Sequence, residues 1–452
     1  MAEGIGQPFH LTPDGGLVLD FHAGQWQAWD SLRRFIFVLA GTQGGKTSFG
    51  PHWLHREIYH PTIGRGAGDY LAATASYDMF KLKMLPATRE LFETITGNGR
   101  YWSGDKVLEL RDPTTKSKAN PKGGSFWAKR ADDRMWGRVI LRSAESGSGL
   151  ESSTSNAAWL DECGMESFSS ETWRAIRRRL SLTRGRVLGT TTLYVLHNWL
   201  RRLYDEWRNG RSDVEFVQFA SIQNPSFPKE EFELALREMP EHVINMQYRG
   251  QFDKPPGMIY DAFNSRLCTI PPFAVPADWP SYGGMDYGGV NTACLHLRQN
   301  PETGIFYLVN EYHQGGRTAK EHAADLKAWN CQVWKGGSKS EGQWRQEFRA
   351  AGLPVGEPDI SDVWLGINRV YSVIKKNQLM VCDTCQGALG QIGTYSRKMN
   401  KATGEPIPDE ILNKEQYHFL DALRYILGSV FKNNDLLEFY RQRAEAMKKK
   451  EA

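Results

Sequence analysis

The chain has 452 residues, of which 40% are hydrophobic and 24% charged, and its formal net charge at pH 7 is +4. This length exceeds what one hydrophobic core normally fills, so we expect two or three domains. No apolar run approaches the roughly 20 residues that a membrane-spanning helix requires, and no basic segment followed by an apolar one opens the chain. These features argue against a membrane protein, and we expect a cytoplasmic location.

In the first part of the chain, apolar strand-like runs alternate with helical patterns. The runs are Phe35–Ala40, Tyr70–Ala73, Val139–Arg142, Asn156–Leu160, Val187–Thr191 and Val214–Ala220. Strands that alternate with helices predict a parallel sheet covered on both faces. The segment Asp253–Gly257 breaks the pattern, because its paired prolines neither continue a helix nor fit a central strand. We therefore predict one domain over residues 1–253 and a boundary at this segment.

The first of these runs leads into a glycine-rich loop, Gly41-Thr42-Gln43-Gly44-Gly45-Lys46-Thr47. The loop approximates the phosphate-binding pattern G-x-x-x-x-G-K-[ST], with Ala40 in place of the first glycine. Its glycines would let backbone N–H groups face phosphate, Lys46 would reach the β- and γ-phosphates, and Thr47 would hold magnesium. The alternative is a glycine-rich turn between a strand and a helix that binds nothing.

Two acids, Asp161 and Glu162, follow the run Asn156–Leu160. One carboxylate would complete the magnesium shell and the other would polarise the attacking water. Together with the loop they predict an ATPase that uses ATP and Mg²⁺. Upstream, the amide of Gln25 could pair with adenine through one donor and one acceptor. Downstream, the hydroxyls of Thr190–Thr192 could sense the γ-phosphate, although a β-branched strand end explains them equally well.

Positive charge is concentrated in two places. Arginines crowd a short segment after the acids, at positions 174, 177, 178, 179, 184 and 186, and Lys448–Lys450 close the chain. We predict that Arg177, Arg178 and Arg179 belong to a surface that faces DNA or a neighbouring subunit, because clustered guanidinium groups suit phosphates. The alternative is an ordinary solvated helix face.

The pattern changes after the prolines. Three strand-like runs are spaced as an antiparallel meander, and four helical patterns follow. The runs are Tyr282–Asp286, Thr292–Leu297 and Ile305–Val309, and the helices are Lys320–Trp329, Glu341–Ala351, Asp362–Lys376 and Gln416–Phe431. These features predict a second, mixed α/β domain over residues 254–435, followed by a basic tail over residues 436–452.

Two widely separated acids suggest a second site. Asp286 lies among glycines on the opening strand, and Asp421 lies in an apolar helical run. A bare buried carboxylate costs several kcal/mol, so Asp421 is expected to be paired or metal-bound. Facing acids could hold divalent metals for phosphodiester cleavage, whereas the alternative for Asp421 is an ion pair with Arg424. A third acid is needed, and Glu311 and Glu341 compete for that place.

The combination resembles the large terminase subunit of tailed bacteriophages over roughly residues 20 to 430. The resemblance is carried by the glycine-rich loop, by Trp159-Leu160-Asp161-Glu162, by the proline-rich joint, by Gly284-Met285-Asp286-Tyr287-Gly288 and by His418-Phe419-Leu420-Asp421-Ala422-Leu423-Arg424-Tyr425. It implies a RecA-like P-loop ATPase domain that drives viral DNA into a procapsid. It further implies a ribonuclease H-like nuclease domain that cuts concatemeric DNA with two metal ions, Mg²⁺ or Mn²⁺.

The same resemblance implies the residue roles. Lys46 and Thr47 would contact phosphate and magnesium, Asp161 would be the metal-shell acid, and Glu162 the catalytic base. Thr190–Thr192 match a coupling segment. Asp286 and Asp421 match the first and last nuclease acids. The implied partners are double-stranded viral DNA, a small terminase subunit, the portal protein of the procapsid and further copies in a ring, all in the host cytoplasm and without a membrane.

Two features depart from the family. Many relatives have an arginine in the phosphate loop, where this chain has Thr42 and Gln43, and many have an acid after the fourth nuclease strand, where this chain has Trp334–Glu341. Glu341 is the better positional match for the missing acid. A helicase or repair ATPase is the alternative enzyme, but it would need a second RecA-like half after Pro256. A non-catalytic module that docks to DNA or to the portal is the alternative for the second domain.

Overall fold

A computed structural model describes residues 8–13, 16–112, 136–145, 154–165, 167–287, 291–400 and 403–431. The predicted basic tail lies outside the described residues. Backbone contacts divide the chain into two compact units, Met1–Pro256 and Gly257–Ala452. None of the described helices is long and apolar enough to cross a membrane.

The first unit combines one large sheet with flanking helices. Its described strands are β1 (Phe9–Leu11), β2 (Leu17–Leu19), β3 (Phe35–Ala40), β4 (Gly68–Thr74), β5 (Gly99–Trp102), β6 (Val107–Leu110), β7 (Gly137–Ser143), β8 (Ala157–Asp161), β9 (Arg186–Thr191) and β10 (Val214–Phe219). Its α-helices are α1 (Ala23–Asp30), α2 (Lys46–Tyr59), α3 (Tyr77–Met79), α4 (Leu85–Arg89), α5 (Ser170–Arg179), α6 (Trp199–Arg208), α7 (Lys229–Glu238) and α8 (Glu241–Gln247). Short π-helical turns occupy Phe80–Met84 and Glu90–Ile95, and a 3₁₀ turn occupies Ser221–Gln223.

The large sheet has the strand order β10-β3-β9-β8-β4-β7-β6-β5. From β10 to β7 neighbouring strands are parallel, and all six predicted strands are among them. Every residue of β3 is buried, which explains its continuous apolar sequence. The hairpin β5–β6 adds an antiparallel edge that the sequence analysis did not predict.

This strand order brings the predicted nucleotide site together. β9 pairs with β3 on one side and with β8 on the other, in a register that aligns Thr190 with both Val38 and Asp161. The carboxyl ends of parallel strands meet at one edge of the sheet. The loop after β3, the acids after β8 and the threonines of β9 therefore converge, with β9 in the middle.

The second unit has its own sheet and core. Its described strands are β11 (Thr269–Ile270), β12 (Ser281–Tyr287), β13 (Asn291–Gln299), β14 (Phe306–Gly315), β15 (Val333–Gly336), β16 (Val355–Gly356), β17 (Leu379–Cys382), β18 (Arg397–Met399) and β19 (Pro406–Ile411). Its α-helices are α9 (Ser265–Cys268), α10 (Ala319–Leu326), α11 (Gly342–Ala350), α12 (Val363–Lys375), α13 (Gln386–Thr394) and α14 (His418–Val430). Short 3₁₀ turns occupy Lys327–Trp329, Lys339–Glu341 and Lys414–Gln416.

The second sheet has the order β11-β17-β14-β13-β12-β15-β16. β12, β13 and β14 form the predicted antiparallel meander, and β15 and β16 extend it in parallel to β12. Three antiparallel strands followed by parallel ones in the order 3-2-1-4-5 are the arrangement of the ribonuclease H-like fold. The fold class predicted from the sequence is therefore confirmed for both units.

Helix α14 packs directly on β12 at a glycine. A Cβ atom placed on Gly284 would lie 2.3 Å from the backbone oxygen of Ala422, so only glycine allows this approach. The apolar face of α14, including Leu423 and Ile426, joins the buried core of the unit. This packing sets the predicted nuclease acids Asp286 and Asp421 on two neighbouring elements.

Candidate nucleotide and nuclease sites

The glycine-rich loop turns sharply between β3 and α2. Gln43 and Gly45 both have positive φ, at 54° and 82°, and the Gly44 N–H donates to the Gly41 carbonyl at 3.1 Å. The left-handed conformation at Gly45 favours glycine immediately before the helix starts. The loop thus has the strand-turn-helix context that a phosphate-binding loop needs.

Neighbouring segments hold the loop from outside. The Thr42 N–H donates to the Gln247 carbonyl at 2.7 Å, Ser221 Oγ donates to the Thr42 carbonyl at 2.6 Å, and Asn224 donates to the Gln43 carbonyl at 2.6 Å. A Cβ on Gly41 would lie 2.2 Å from the backbone oxygen of Tyr248, so these segments leave no room for a side chain at position 41. These hydrogen bonds to the loop were not predicted from the sequence, although Ser221 and Asn224 follow β10 at the same sheet edge.

Lys46 is buried at the first position of α2, with 5% of its surface exposed. Its Nζ donates to Thr192 Oγ1 at 2.7 Å and to the Gly41 carbonyl at 3.0 Å. Burial lowers the pKa of the Lys46 amine, and the charges of Glu162 and Asp161 oppose that effect. The lysine is therefore held in position by the protein, close to the two predicted acids.

Asp161 lies between two hydroxyl groups. Thr47 Oγ1 donates to its Oδ2 at 3.0 Å, and Thr190 Oγ1 donates to its Oδ1 at 2.7 Å. Burial raises the pKa of Asp161 to about 6, and the nearby charge of Glu162 adds to the rise. A buried carboxylate beside the hydroxyl of Thr47 offers the oxygen ligands that Mg²⁺ prefers, so these residues fit the predicted ion.

Glu162 occupies a left-handed backbone position, with φ at 52°. Its Oε2 accepts hydrogen bonds from the Thr192 N–H at 3.1 Å and from Thr191 Oγ1 at 3.3 Å. Such backbone strain at the end of a strand is typical of functional positions. The three threonines at the end of β9 thus contact Asp161, Glu162 and Lys46 in turn, and their coupling role stays a prediction.

Gln25 is buried, with both ends of its amide bonded to the protein. Nε2 donates to the Gly45 carbonyl at 3.1 Å, and Oε1 accepts from the His22 N–H at 3.2 Å. His22 also reaches the Gly44 carbonyl with Nε2, at 3.2 Å. The structure therefore shows Gln25 tying α1 to the glycine-rich loop, and its predicted contact with adenine stays a prediction.

In the second unit, Asp286 near the end of β12 is paired with a histidine of α14. His418 Nδ1 lies 2.8 Å from Asp286 Oδ2. Burial raises the pKa of Asp286, the hydrogen bond with His418 opposes the rise, and the charges of Asp421 and Glu341 add to it. The same hydrogen bond raises the pKa of His418. The sequence analysis noted His418 only as part of a motif and assigned it no role.

Asp421 is also paired. Its Oδ1 accepts hydrogen bonds from Arg424 at 3.0 and 3.2 Å, and its Oδ2 lies 3.5 Å from the Nζ of Lys414. The ion pair with Arg424 is the alternative that the sequence left open. It satisfies the carboxylate at the start of an apolar helix, and it does not preclude a metal ion at the second oxygen.

The two candidates for the third acid differ in placement. Glu311 accepts the N–H groups of Gly387 and Ala388, both at 2.8 Å, and so binds the first turn of α13. Burial raises the pKa of Tyr425 to about 12, and the charges of Asp421, Asp286 and Glu341 all contribute. Glu341 thus contributes to the electrostatic environment of Tyr425 and Asp286, whereas Glu311 is bound at α13. The choice between Glu311 and Glu341 as the third acid stays a prediction.

The predicted nuclease acids do not form a metal-binding cluster among the described residues. Among the described residues, no group of three or more His, Cys, Asp or Glu side chains is arranged to hold a metal ion. The carboxylates have the right chemistry for Mg²⁺ or Mn²⁺, but in this conformation each is engaged by a protein partner. Any metal would have to displace or share those partners.

The three consecutive arginines of α5 differ in exposure. Arg177 lies over the rings of Phe35 and Trp173, at 5.7 and 5.9 Å, and Arg179 is 8% exposed. Consecutive residues of a helix point about 100° apart, so Arg179 points to a different face of α5 from Arg177. The prediction of a shared surface is therefore wrong for Arg179, whereas Arg177 and Arg178 are both exposed and their surface role stays a prediction.

No protein-family model matches the chain. The "Terminase, large subunit" of Escherichia phage T5 is 22% identical over 252 residues, which are 52% of this chain and 56% of the T5 protein. The match thus spans about half of the length of this relative. The large terminase of a thermophilic bacteriophage overlaps 91% of this chain and 100% of its own, with 16% identity and a TM-score of 0.42. The HK97 bacteriophage large terminase overlaps 94% and 98%, with 12% identity and a TM-score of 0.45.

The sequence motifs and the match to the T5 subunit point to the same resemblance. The T5 match agrees with the resemblance stated from the motifs, and the topology of each unit is the one that this resemblance implied. The chain resembles large terminase subunits, with a RecA-like P-loop unit followed by a ribonuclease H-like unit.

Proposed function

We propose that this chain is the large subunit of a viral DNA-packaging motor. It would move double-stranded DNA into a procapsid with the energy of ATP hydrolysis and cut concatemeric DNA with a metal-dependent nuclease. One observation carries the proposal: the threonines at the end of β9 contact Lys46, Asp161 and Glu162 together. A residue run that contacts all three groups of a nucleotide site can respond when the γ-phosphate leaves.

In ATP hydrolysis, the residues of the first unit have separate tasks. Lys46 would exchange its internal acceptors for phosphate oxygens, and Glu162 would orient the water that attacks the γ-phosphorus as the bond to the β-phosphate oxygen breaks. Thr47 and Asp161 would hold Mg²⁺, which when bound neutralises charge on the phosphate oxygens. The supports at Thr42 and Gln43 keep the loop in shape throughout.

The threonines would then respond to the loss of the γ-phosphate. Thr192 accepts from Lys46 through its hydroxyl and donates to Glu162 through its backbone N–H. A shift of Lys46 towards phosphate, or back from it, therefore alters the environment of Glu162 through one residue. β9 lies between β3 and β8, so such a change reaches both neighbouring strands.

In the second unit, Asp286, Asp421 and Glu341 would hold the metal of the nuclease. Bound Mg²⁺ or Mn²⁺ would supply activation of a water and stabilisation of the leaving oxygen. His418 orients the Asp286 carboxylate through their 2.8 Å contact. Arg424 fixes Asp421 through two nitrogen atoms. The three carboxylates would bind metal together only if the 3.5 Å contact between Lys414 and Asp421 is broken.

The motor would act with further partners in the cytoplasm of an infected host cell. We propose double-stranded viral DNA as substrate, a small terminase subunit that selects it, and the portal protein of the procapsid as the docking partner. Several copies of the chain would form a ring at the portal. The observation in support is the sequence relation to the T5 subunit.

The ATPase part is tested by DNA-stimulated hydrolysis. Purified wild type and Glu162→Gln are compared for phosphate release with Mg²⁺, with and without linear duplex DNA. Glu230→Gln, an exposed glutamate of α7, is the matched control. The proposal predicts stimulated hydrolysis in wild type and control and a loss of at least about 100-fold in Glu162→Gln. Equal rates in all three proteins would overturn it.

A further inference from the structure

A cavity of about 400 Å³ lies beside the nuclease acids in the second unit. Its walls are the segment after β15, the segment that leads into α12, and the first turns of α14 with the turn before them. A volume of this size is within the range of pockets that hold small ligands. The mechanism proposed above gives this cavity no task.

The cavity is lined mainly by groups that suit an anion. Lys339, Lys414 and Arg424 supply positive charge, Glu357 supplies one negative charge, and Ser338 and Ser340 supply hydroxyls. No carboxylate among the described residues lies within ion-pair distance of Lys339, and the Glu357 carboxylate is 3.9 Å from Arg345. Cationic and hydroxyl donors together are typical of phosphate sites.

Arg424 is a fixed part of the wall. It is 3% exposed, its Nε and Nη2 bind Asp421, and its guanidinium lies 4.4 Å from the centre of the Tyr425 ring. A Cβ on Gly366 would lie 2.3 Å from Arg424 Cγ, so glycine makes room for the arginine stem. Within the described part of the chain, Nη1 of this buried guanidinium has no hydrogen-bond acceptor. Arg424 thus retains a donor that the protein does not use.

The cavity is joined to the nuclease acids by the same residues. Lys414 and Arg424 line it and also contact Asp421, at 3.5 and 3.0 Å. Ser338, another lining residue, donates its N–H to the carboxylate of Glu341. Whatever occupies the cavity therefore lies next to two of the acids proposed to hold the metal.

We propose that this cavity is a subsite for one nucleotide of the DNA strand, adjacent to the phosphate that is cut. Its phosphate would bind Lys339, Lys414 and Arg424, and its sugar and base would lie against Tyr425. The inference rests on the nuclease function proposed above. A phosphate in the cavity competes with Asp421 for Lys414, so substrate binding releases an oxygen of Asp421 for the metal.

The placement is tested by photochemical cross-linking of the full chain. A duplex containing 5-iododeoxyuridine is bound in Ca²⁺ and irradiated, and cross-linked peptides are identified by mass spectrometry. We expect a cross-link at Tyr425 that falls about fivefold in Lys339→Gln and is unchanged in Lys320→Gln, an exposed lysine of α10. Cross-links elsewhere in the second unit, with none at Tyr425, would overturn the proposal.

A competition experiment distinguishes binding of DNA from binding of a free nucleotide. Excess unlabelled duplex should remove the Tyr425 cross-link at far lower concentration than thymidine 5′-monophosphate, whereas equal competition by the free nucleotide would overturn a DNA subsite.

The kinetic arm uses plasmid nicking in Mn²⁺. We expect Lys339→Gln to raise the KM for DNA about fivefold with kcat nearly unchanged, and an unchanged KM would contradict the subsite. A wild-type protein that does not nick DNA but still gives the Tyr425 cross-link would refute the nuclease function, while the cavity would still be a binding site for a nucleotide of DNA.

Discussion

Lys46 Nζ donates a 2.7 Å hydrogen bond to Oγ1 of Thr192, which links the start of α2 to the end of β9. The same threonine donates its backbone N–H to Glu162 at 3.1 Å. One residue therefore lies between the group that would contact phosphate and the group that would orient water. This arrangement makes Thr192 a direct target for mutation.

Replacing Thr192 with valine should slow ATP hydrolysis by about tenfold. The change removes the hydroxyl acceptor of Lys46, leaves the Gly41 carbonyl as an acceptor and keeps the backbone bond to Glu162, so the lysine is held less firmly while the fold is retained. Thr192→Ser keeps the hydroxyl and should hydrolyse ATP at close to the wild-type rate. Initial rates of phosphate release decide the matter, and wild-type activity in Thr192→Val would contradict a positioning role.

The stability of the first unit should depend on the charge of Asp161. Folding raises the pKa of this acid to about 6, so the folded chain binds the proton more tightly than the unfolded chain. The contribution of Asp161 to the free energy of unfolding is therefore fully present below about pH 4 and is lost as the pH rises through about 6. Above that range, the ionised Asp161 costs the folded state about 1–3 kcal/mol.

Asp161→Asn removes this cost. We expect its melting temperature to exceed that of wild type by a few degrees at pH 8, without nucleotide or divalent metal, and the difference to shrink at pH 4.5. Thermal melts of both proteins at the two pH values provide the measurement. A difference that grows towards low pH would show that the sign of the pKa shift is wrong.

The parallel core of the first unit could be predicted because buried strands have continuous apolar sequence, as in Phe35–Ala40. The meander of the second unit was predictable from its spacing. The hairpin β5–β6 was missed because each strand has only four residues. The contact between Asp286 and His418 joins residues 132 positions apart, and no local sequence pattern predicts a contact between residues so far apart in the chain.

Substituting Gly284 should separate α14 from β12. In Gly284→Ala the new Cβ would lie 2.3 Å from a backbone oxygen, so we expect a loss of at least about 2 kcal/mol in the free energy of unfolding and strongly reduced nicking. Gly428→Ala in α14 is the control. Its new Cβ would lie no closer than 3.5 Å to another atom, and alanine favours the helix over glycine by about 1 kcal/mol. In urea unfolding, Gly284→Ala should be less stable than wild type and Gly428→Ala more stable. Equal stabilities of the two variants would argue against the close packing at Gly284.

The third nuclease acid is tested by two matched substitutions. Glu341→Gln should reduce nicking in Mn²⁺ by about 100-fold, because Glu341 contributes to the charge around Asp286. Glu311→Gln should keep nicking but lower stability by about 1–3 kcal/mol, because the two N–H groups of α13 lose a charged acceptor. Loss of nicking in Glu311→Gln at full stability would reverse the assignment.

The central claim is that one chain has two separate active sites, and the most direct measurement is plasmid nicking by Lys46→Ala and Asp286→Asn, with ATP hydrolysis recorded on the same preparations. Lys46→Ala removes the lysine of the glycine-rich loop, and Asp286→Asn removes the carboxylate that His418 contacts. We predict that Lys46→Ala nicks DNA without hydrolysing ATP and that Asp286→Asn hydrolyses ATP without nicking. Nicking by Asp286→Asn at the wild-type rate would contradict the account.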